Sequence, residues 1–305
     1  MKLQQLRYFV AVYESGSFSA AAERVSATQS GLSMHVSQME KRYDVTLFTR
    51  SSSGVTPTET GNSFYKEAVK VLAIASNAED TLRYLSKAVV GHISVGLMPT
   101  FTRSVLTNVL LRFSEEYSEV RVTISEAFSG DLAEAVSAGR LDFAVVPSII
   151  QNDAILGTPM GRDQECFVCA AGSHPSVGPT VRLKDLPPQR IVVPGWTNTR
   201  RARIEQYLTE NGIVAQEILE IDTMYGTLDL VARSDWVSIL PGILCVPDLD
   251  GRKRRVMPLA DPAFYVDYLR IEPRSKPLSR AAQAFADILQ EELNSTMEIP
   301  LVSER

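Results

Sequence analysis

The sequence predicts an α/β protein with an all-α N-terminal part, and three observations support this class. Apolar residues recur at helical spacing through about the first 43 residues. A seven-residue apolar repeat then runs to Val89, and from Gly91 onward strand patterns alternate with helix patterns. With 305 residues, of which 45% are hydrophobic, the chain is long enough to form two or three domains.

The charge balance gives weak support to a nucleic-acid partner. The net charge is -5, but residues 1–60 hold six Lys and Arg against five Asp and Glu, whereas the remainder holds 25 against 31. This difference has the sign expected of an N-terminal DNA-binding part.

No apolar stretch approaches the ~20 residues that a membrane-spanning helix requires. A short apolar run follows Lys2 and Arg7, but Glu14 interrupts it and it is too short for a signal peptide. Three cysteines are an odd number for a set of disulfides, which favours a reducing compartment. We therefore expect a soluble cytoplasmic protein with no membrane contact.

Cys166 and Cys169 form a C-x-x-C motif, for which two interpretations are open. The spacing occurs in redox-active and metal-binding sites. The surrounding ECFVCAA is rich in strand-forming residues, and on a strand two residues three apart face opposite sides of the sheet. The structural interpretation is favoured. Because the three histidines also lack metal-ligand spacing, we expect no metal and no cofactor.

The first 43 residues predict three short helices. LQQLRYFVAVY, residues 3–13, has the three-and-four apolar spacing of an amphipathic helix. Gly16 favours a stop, and a serine after it can cap an alanine-rich second helix. A short turn then leads to a third helix from about Thr28 to Tyr43. The tight turn between the second and third helices indicates a helix-turn-helix.

The third helix begins with short or flexible polar side chains, Thr28, Gln29, Ser30 and Ser33. A helix that enters the major groove of B-DNA, which is ~12 Å wide, reads base edges with its first turn. Gln can pair bidentately with adenine, Ser can reach a base or a phosphate, and the positive end of the helix dipole suits a phosphate. An ordinary capped helix is the alternative, because Thr and Ser are favoured at any helix start.

LFTRSSSGVTPTETG, residues 47–61, predicts a strand, a turn and a second strand, with the turn at Ser52, Ser53 and Gly54. Pro57 precedes the next helix. A hairpin of this kind after a helix-turn-helix is a wing, which commonly contacts the DNA backbone or minor groove. The two features together favour DNA binding.

Between Thr58 and Val89 the sequence predicts one long helix of about 45 Å at 1.5 Å per residue. Its apolar residues follow one another by alternating steps of four and three, which is the repeat of a coiled-coil seam. Packing of the seam against its own domain is the alternative, but a partner helix is favoured, and we expect a dimer. The seam residues are Phe64, Ala68, Val71, Ala75, Ala78, Leu82, Leu85 and Val89.

From Gly91 the order strand, helix, strand, helix, strand predicts a parallel sheet covered by helices. The first of these helices is expected to run from Phe101 to Tyr117 as one element. Strands then follow at ECFVCAA, RIVVPG, EILEI, WVSILPG and VDYLRIEP, with helices near 199–211, 223–233 and 278–292. This number of elements suits two small α/β lobes with a cleft between them.

The whole chain resembles the LysR-type transcriptional regulators. The resemblance is carried by LRYFVAVYESGSFSAAAERVSATQSGLSMHVSQMEKRYDVTLFTR, by GVTPTETG, by the long helix, and more loosely by GRLDFAVV and ILPG. It implies a winged helix-turn-helix DNA-binding domain over 1–58, a linker and dimerisation helix over 59–89, and an effector-binding domain over 90–305. The effector domain would resemble periplasmic binding proteins, with lobe I at about 91–161 and 268–293 and lobe II at about 162–267. The family's usual assembly is a tetramer built as a dimer of dimers.

The resemblance also implies a set of DNA-binding residues. Where the family often has a basic residue and a wing arginine, this chain has Met34 and Ser53, so positive charge is reduced. The residues expected at double-stranded promoter DNA are Thr28, Gln29, Ser30, Ser33, His35, Lys41, Arg42, Arg50 and Ser53.

The resemblance places the effector between the lobes, at the loop after the first strand and at helix starts. Each hydroxyl lies at an expected helix N-terminus, where free N–H groups favour an anion. A small organic anion is therefore expected, and Arg103 and Arg200 are near enough in sequence to pair with a carboxylate. Simple capping is the alternative for each hydroxyl. The family's glycine-rich pattern near 233–236 is replaced by RSDW. The expected effector residues are Pro99, Thr100, Phe101, Thr102, Ser129, Pro147, Thr197, Asn198, Thr199 and Thr223.

Two other functions are alternatives to a ligand-responsive regulator. An enzyme on an α/β scaffold lacks support, because the sequence has no G-x-S-x-G, P-loop, H-E-x-x-H or G-x-G-x-x-G motif. A solute-binding protein would fit the two-lobed part, but it requires a signal peptide and leaves residues 1–90 unexplained. The sequence therefore predicts a regulator that is not an enzyme.

Overall fold

The computed structural model describes residues 1–51, 54–84, 89–147, 153–174, 178–196, 198–274, 276–299 and 301. The chain divides into two compact units, Met1–Ala88 with Ala138–Arg140, and Val89–Ser137 with Leu141–Arg305. The predicted class, α/β with an all-α N-terminal part, is confirmed. None of the described helices combines the length and apolar character needed to cross a membrane.

The N-terminal unit begins with three helices, α1 (Leu3–Ser15), α2 (Phe18–Arg24) and α3 (Gln29–Tyr43). Gly16 ends α1 in a left-handed conformation with φ of 59°, which glycine adopts without steric cost. Thr28 caps α3 through a hydrogen bond from the Gly31 N–H to its Oγ1, 3.2 Å long. The apolar faces of the three helices meet in one core, so the predicted helix-turn-helix is confirmed.

A hairpin follows, in which β1 (Phe48–Ser51) pairs antiparallel with β2 (Gly54–Pro57). Its base is fixed to α3, because Glu40 Oε1 accepts hydrogen bonds from the backbone N–H groups of Leu47 and Phe48 at 2.8 and 3.2 Å. The predicted hairpin is confirmed, whereas its tip, Ser52 and Ser53, lies outside the described residues.

The long helix α4 (Glu59–Tyr84) packs against α1 through its first turns. The Phe64 ring lies 4.8 Å from that of Phe9, and Ala68 is only 1% exposed. Ala68 is thus buried and Phe64 partly buried within their own unit, as the alternative interpretation had it. Further along, Val71 and Ile74 are exposed. The side chains of Leu82 and Leu85 lie outside the described residues.

The second unit begins with β3 (Gly91–Leu97), α5 (Pro99–Ser104), α6 (Leu106–Glu116), β4 (Val120–Glu126), α7 (Ser129–Ser137) and β5 (Phe143–Pro147). β3 pairs in parallel with both β4 and β5, as the strand and helix order predicts. The single helix expected over 101–117 is wrong. Two helices form because Pro99 starts α5 early, at a position where proline is favoured, and the chain bends at Val105, whose φ is -115°.

The remaining elements are β6 (Ile155–Ala170), β7 (Arg190–Val193), α8 (Thr199–Glu210), β8 (Glu217–Glu220), α9 (Met224–Arg233), β9 (Trp236–Pro241), α10 (Gly242–Cys245), β10 (Arg254–Pro258), β11 (Tyr265–Pro273) and α11 (Arg280–Met297). The sequence patterns missed α10, β10 and the first half of β6. That half contains Gly157, Pro159 and Gly161, residue types that disfavour strands, and its pairing with β11 overrides the local preference.

Nine strands of the described chain form one sheet in the order β4-β3-β5-β11-β6-β9-β7-β8, with β10 paired to β6. β6 and β11 pair along nearly the whole of β11 and connect the two lobes. Lobe I buries one large core, whereas lobe II buries one core on each face of its sheet. The two lobes therefore share two long strands.

Cys166 and Cys169 lie on β6 in different cores, on opposite faces of the sheet, as strand alternation predicts. Both are free thiols. Burial raises the pKa of both thiols, that of Cys169 to about 11, so neither is a thiolate near neutral pH. The structural interpretation of the C-x-x-C motif therefore holds.

Candidate functional site

The N-terminal end of α3 is an exposed polar surface. Gln29 and Ser30 are exposed, and Thr28 is engaged in the cap. Ser33, one turn later, is half-buried, while Leu32 and the rest of the apolar stripe face the core. The cap leaves the side chain of Gln29 free to reach outward, which is the geometry that base reading requires.

Arg50, at the end of β1, folds back onto α3. Its Nη1 donates to Ser33 Oγ at 3.1 Å and its Nη2 to Ser37 Oγ at 3.3 Å. Its guanidinium lies 4.6 Å above the centre of the Phe18 ring. Because a guanidinium carries five N–H donors, Arg50 retains donors for an anion while it orients Ser33.

The other residues expected at DNA lie in different environments. The His35 ring is half-buried, with its centre 5.2 Å from that of Tyr8. Lys41 and Arg42 are exposed in the last turn of α3, about 18 Å from Gln29 along the helix axis at 1.5 Å per residue. They can contact only a part of the DNA backbone distant from the bases near Gln29. Ser53 lies outside the described residues.

In the second unit a small cavity of about 40 Å³ lies between the two lobes. Lobe I contributes the end of β3 and the starts of α5 and α7, and lobe II contributes the ends of β7 and β8 and the starts of α8 and α9. We call this cavity the interlobe pocket. Its lining residues are Met98, Pro99, Thr100, Phe128, Ser129, Pro147, Val193, Pro194, Asn198, Thr199, Arg200, Ile221, Asp222, Met224, Thr227, Ser238, Ile239 and Leu240.

Six residues expected from the sequence line the pocket: Pro99, Thr100, Ser129, Pro147, Asn198 and Thr199. The lobes touch here, because the hydroxyls of Ser129 and Thr199 are 3.2 Å apart. Asn198 caps α8 by accepting a hydrogen bond from the Arg200 N–H at 3.1 Å. Two helix N-termini from different lobes are therefore brought together at one point.

Three other expected residues do not line the pocket. Phe101 is fully buried in the lobe I core, with its ring 4.8 Å from that of Tyr268. The Thr102 hydroxyl lies within hydrogen-bond distance of the Pro99 carbonyl and of Glu126, and the exposed Thr223 caps α9. Successive helix residues point in different directions, which explains why Thr100 lines the cavity while Phe101 and Thr102 do not. Thr197 lies outside the described residues.

The two arginines noted in the sequence have different places. Arg103 donates to the Leu244 carbonyl and pairs with Asp248 at 2.8 Å, so it connects α5 to lobe II away from the pocket. Arg200 lines the pocket and is 9% exposed. It pairs with the buried Glu165 at 2.6 Å, and its Nε lacks a hydrogen-bond partner among the described residues.

Two further buried polar groups lie on the strands that connect the lobes, Asp163 on β6 and Tyr268 on β11. Asp163 Oδ2 accepts a hydrogen bond from the Ile243 N–H at 3.0 Å. Burial raises the pKa of the Asp163 carboxyl to about 7, with a further contribution from the Glu165 charge. The Tyr268 hydroxyl is buried without a partner among the described residues, and burial raises its pKa. The strands that join the lobes thus carry several buried ionisable groups.

Asp222 is the pocket residue whose chemistry the sequence analysis missed. It follows β8 directly, and its Oδ1 accepts a hydrogen bond from the Gly195 N–H, 2.8 Å away in the loop after β7. β7 and β8 are parallel neighbours, and residues that follow such strands meet at the same sheet edge. The position of Asp222 directly after β8 could therefore have identified it as a candidate pocket residue from the sequence. The RSDW segment does not line the pocket.

Comparisons with known proteins agree with this architecture. A family model described as "LysR substrate binding domain" matches residues 86–294, and one described as "Bacterial regulatory helix-turn-helix protein, lysR family" matches residues 3–62. The nitrogen assimilation regulatory protein nac of Klebsiella aerogenes is 29% identical over 242 residues, which are 79% of this chain and 78% of that protein.

Solved structures show the same fold. A full-length OxyR variant from Pseudomonas aeruginosa superposes with a TM-score of 0.74 at 19% identity, covering 100% of this chain and 98% of that one. Full-length CbnR in complex with its target DNA superposes with a TM-score of 0.68 at 20% identity, covering 96% of this chain and 100% of that one. The family models together extend over nearly the whole chain. The chain belongs to the LysR family and is a DNA-binding transcriptional regulator with an effector-binding domain, not an enzyme.

Proposed function

We propose that the interlobe pocket binds a small organic anion and that this binding changes how the regulator engages promoter DNA. The observation that carries the proposal is the meeting of two helix N-termini, at Ser129 and Thr199, beside the buried Arg200. Free N–H groups and the positive ends of helix dipoles favour negative charge at such a point. The cavity of about 40 Å³ is smaller than such a ligand, so the proposal requires the lobes to move apart when the ligand binds.

The unpartnered Nε of Arg200 supports an acceptor group on the ligand. A buried N–H without a partner costs free energy, and an oxygen of a carboxylate can remove that cost. The Glu165 carboxylate already neutralises the charge of Arg200, so the N–H dipoles and the donor geometry contribute more to binding than net charge does.

A ligand held by both lobes can act on DNA only if it prefers one lobe arrangement over another. The Ser129 and Thr199 hydroxyls belong to different lobes and lie on the wall of the pocket. A ligand that replaces or extends this contact would change the relative stability of the closed arrangement. The shared strands β6 and β11 would carry the change between the lobes.

For the DNA-binding domain we propose that Gln29, Ser30 and Ser33 read bases and that Arg50, Lys41 and Arg42 contact phosphates. Gln29 and Ser30 are exposed at the start of α3, and Arg50 lies beside Ser33. CbnR, which has the same fold, has been solved with its target DNA. A regulator that binds chromosomal DNA is expected to work in the cytoplasm of a bacterial cell.

We further propose that α4 dimerises and that the protein is a tetramer. Val71 and Ile74 are large apolar side chains exposed on this helix, 40% and 66% respectively. Ile74→Glu should lower the mass of the assembly in light scattering, because a charge at a packed apolar position is costly. The matched control is Glu67→Gln, on the same helix, which should leave the mass unchanged. An unchanged mass for Ile74→Glu would contradict dimerisation through this face.

The pocket assignment is tested by two threonines on one helix. Thr100→Val removes a hydroxyl from the pocket wall, whereas Thr102→Val removes one that faces Glu126. Calorimetry of the full chain with carboxylate metabolites should show weaker binding for Thr100→Val and parental binding for Thr102→Val. Promoter binding without ligand should be the same for both variants. Equal ligand affinity in the parent and Thr100→Val would place the ligand elsewhere.

A further inference from the structure

We propose that the carboxylate ligand of the interlobe pocket also carries an ammonium group, so that its carboxylate lies at the Arg200 end and Asp222 binds its ammonium group. This inference rests on the proposed function, because it takes the carboxylate site as given. It adds an ammonium group to the ligand and assigns Asp222 as the partner of that group.

Asp222 is held at the pocket wall by its neighbour in the loop after β7. Its Oδ1 accepts a hydrogen bond from the Gly195 N–H at 2.8 Å. A Cβ atom on residue 195 would lie 2.3 Å from Asp222 Oδ2, so only glycine allows the carboxylate to take this position. The absence of a side chain at Gly195 thus leaves room for the Asp222 carboxylate at the pocket wall.

The charge of Asp222 is not balanced by an ion pair within the described chain. Arg200, the other ionic residue of the lining, is balanced by Glu165 at 2.6 Å. The pocket wall therefore has an excess of one negative charge. A simple carboxylate would be repelled by Asp222, whereas a zwitterion presents an opposite charge to it.

Arg200 independently indicates the carboxylate of the ligand. Its Nε–H is buried, lacks a partner among the described residues and belongs to a side chain of the pocket lining. A donor in this state requires an acceptor, and Asp222 offers its carboxylate to a cationic group. One small molecule with a carboxylate and an ammonium group fits both residues.

The wall between these polar groups is apolar. Met98, Phe128, Val193, Ile221 and Met224 contribute to it. Such a surface suits the hydrocarbon part of an amino acid or of a related amino-carboxylic acid, and it gains free energy from burial of that part.

The test compares amino acids with the acids that lack only the amino group. Leucine, phenylalanine and glutamate are titrated into the full chain beside 4-methylpentanoate, 3-phenylpropionate and glutarate. We expect at least one amino acid to bind about tenfold or more tightly than its deaminated partner, the size expected of a charge-assisted hydrogen bond. Asp222→Asn should abolish this preference and leave the affinity for the deaminated acid equal or higher.

Asp222→Asn is a matched change, because an amide oxygen can still accept the hydrogen bond from Gly195 and the residue is exposed. Gly195→Ala provides a second variant, which keeps the carboxylate but displaces it, and it should lose the same preference. Thermal unfolding and promoter binding verify that each variant is folded.

The outcomes separate this inference from the proposed function. If deaminated acids bind as tightly as the amino acids, or if the preference survives in Asp222→Asn, the ligand is not held by Asp222 and the inference is overturned while the anion site stands. If none of the six compounds binds, the inference and the proposed anion site both fall.

Discussion

The start of α3 and the interlobe pocket use polar side chains in different ways. At the start of α3, Gln29 and Ser30 are exposed, and capping is left to Thr28. In the pocket, the polar residues also hold the fold together: Arg200 pairs with Glu165, and Asp222 bonds to Gly195. Under the proposed function, the residues that recognise DNA are separate from those that stabilise the fold, whereas in the pocket the same residues serve both purposes.

This difference has a consequence for mutagenesis. A substitution at an exposed recognition residue should change DNA affinity without changing the free energy of unfolding. A substitution at a buried pocket residue should change both, because it leaves another buried group without its partner. Ligand-binding losses in the pocket can therefore be interpreted only beside a stability measurement.

The largest expected effect is at the buried ion pair. Arg200→Met leaves the Glu165 carboxylate buried without its counter-charge and should lower the free energy of unfolding by about 3–5 kcal/mol. Urea unfolding of the full chain measures this. The double variant Arg200→Met with Glu165→Met should recover much of the loss, because it buries no unpaired charge. A loss below about 1 kcal/mol in the single variant would contradict the account.

The next effect depends on pH and on Asp163. Burial raises the pKa of this carboxyl from an ordinary value of 3.8 to about 7. Between these values the folded protein holds a proton that the unfolded chain releases, so stability should fall as pH rises from about 4 to about 7. Unfolding at pH 5 and pH 8 should show a decrease on the order of 1–3 kcal/mol that Asp163→Asn lacks. Parallel pH profiles for parent and variant would show that Asp163 does not titrate there.

A smaller effect is expected at the start of α3, where stability should not change. Gln29→Ala should cost on the order of 1–3 kcal/mol of discrimination, mostly at one base pair in each half-site. Competition binding with single-base operator variants measures it. As a contrast, Arg50→Ala should weaken binding to all sequences and reduce the salt dependence, because a phosphate contact carries no base preference. If Gln29→Ala lowered affinity for operator and random DNA equally, Gln29 would not read bases.

The parts of the molecule that could be predicted from the sequence are those with local causes. The cap at Thr28, the stop at Gly16 and the parallel order of β3, β4 and β5 each follow from residues within a short stretch. The pocket-lining residues Thr100, Ser129 and Thr199 could be named in advance because the resemblance to the family places the effector at helix starts, and these starts can be read from local sequence.

What could not be predicted depends on contacts between distant residues. The first half of β6 forms only through its pairing with β11, about a hundred residues later. The pairing of Arg200 with Glu165 and the support of Asp222 by Gly195 likewise require the folded chain. Phe101 and Thr102 show a finer limit, because a helix start can be predicted without knowing which of its residues face the cavity.

The central claim is that a ligand in the interlobe pocket is coupled to promoter binding, and reciprocal titration tests it most directly. The affinity of the full chain for promoter DNA from beside its gene is measured with and without saturating ligand, and the ligand affinity is measured with and without DNA. The account predicts that both affinities change by the same factor, about 5- to 150-fold, because a coupling free energy is reciprocal. A ligand that fills the pocket, loses affinity in Thr100→Val and still leaves promoter affinity unchanged would contradict the account.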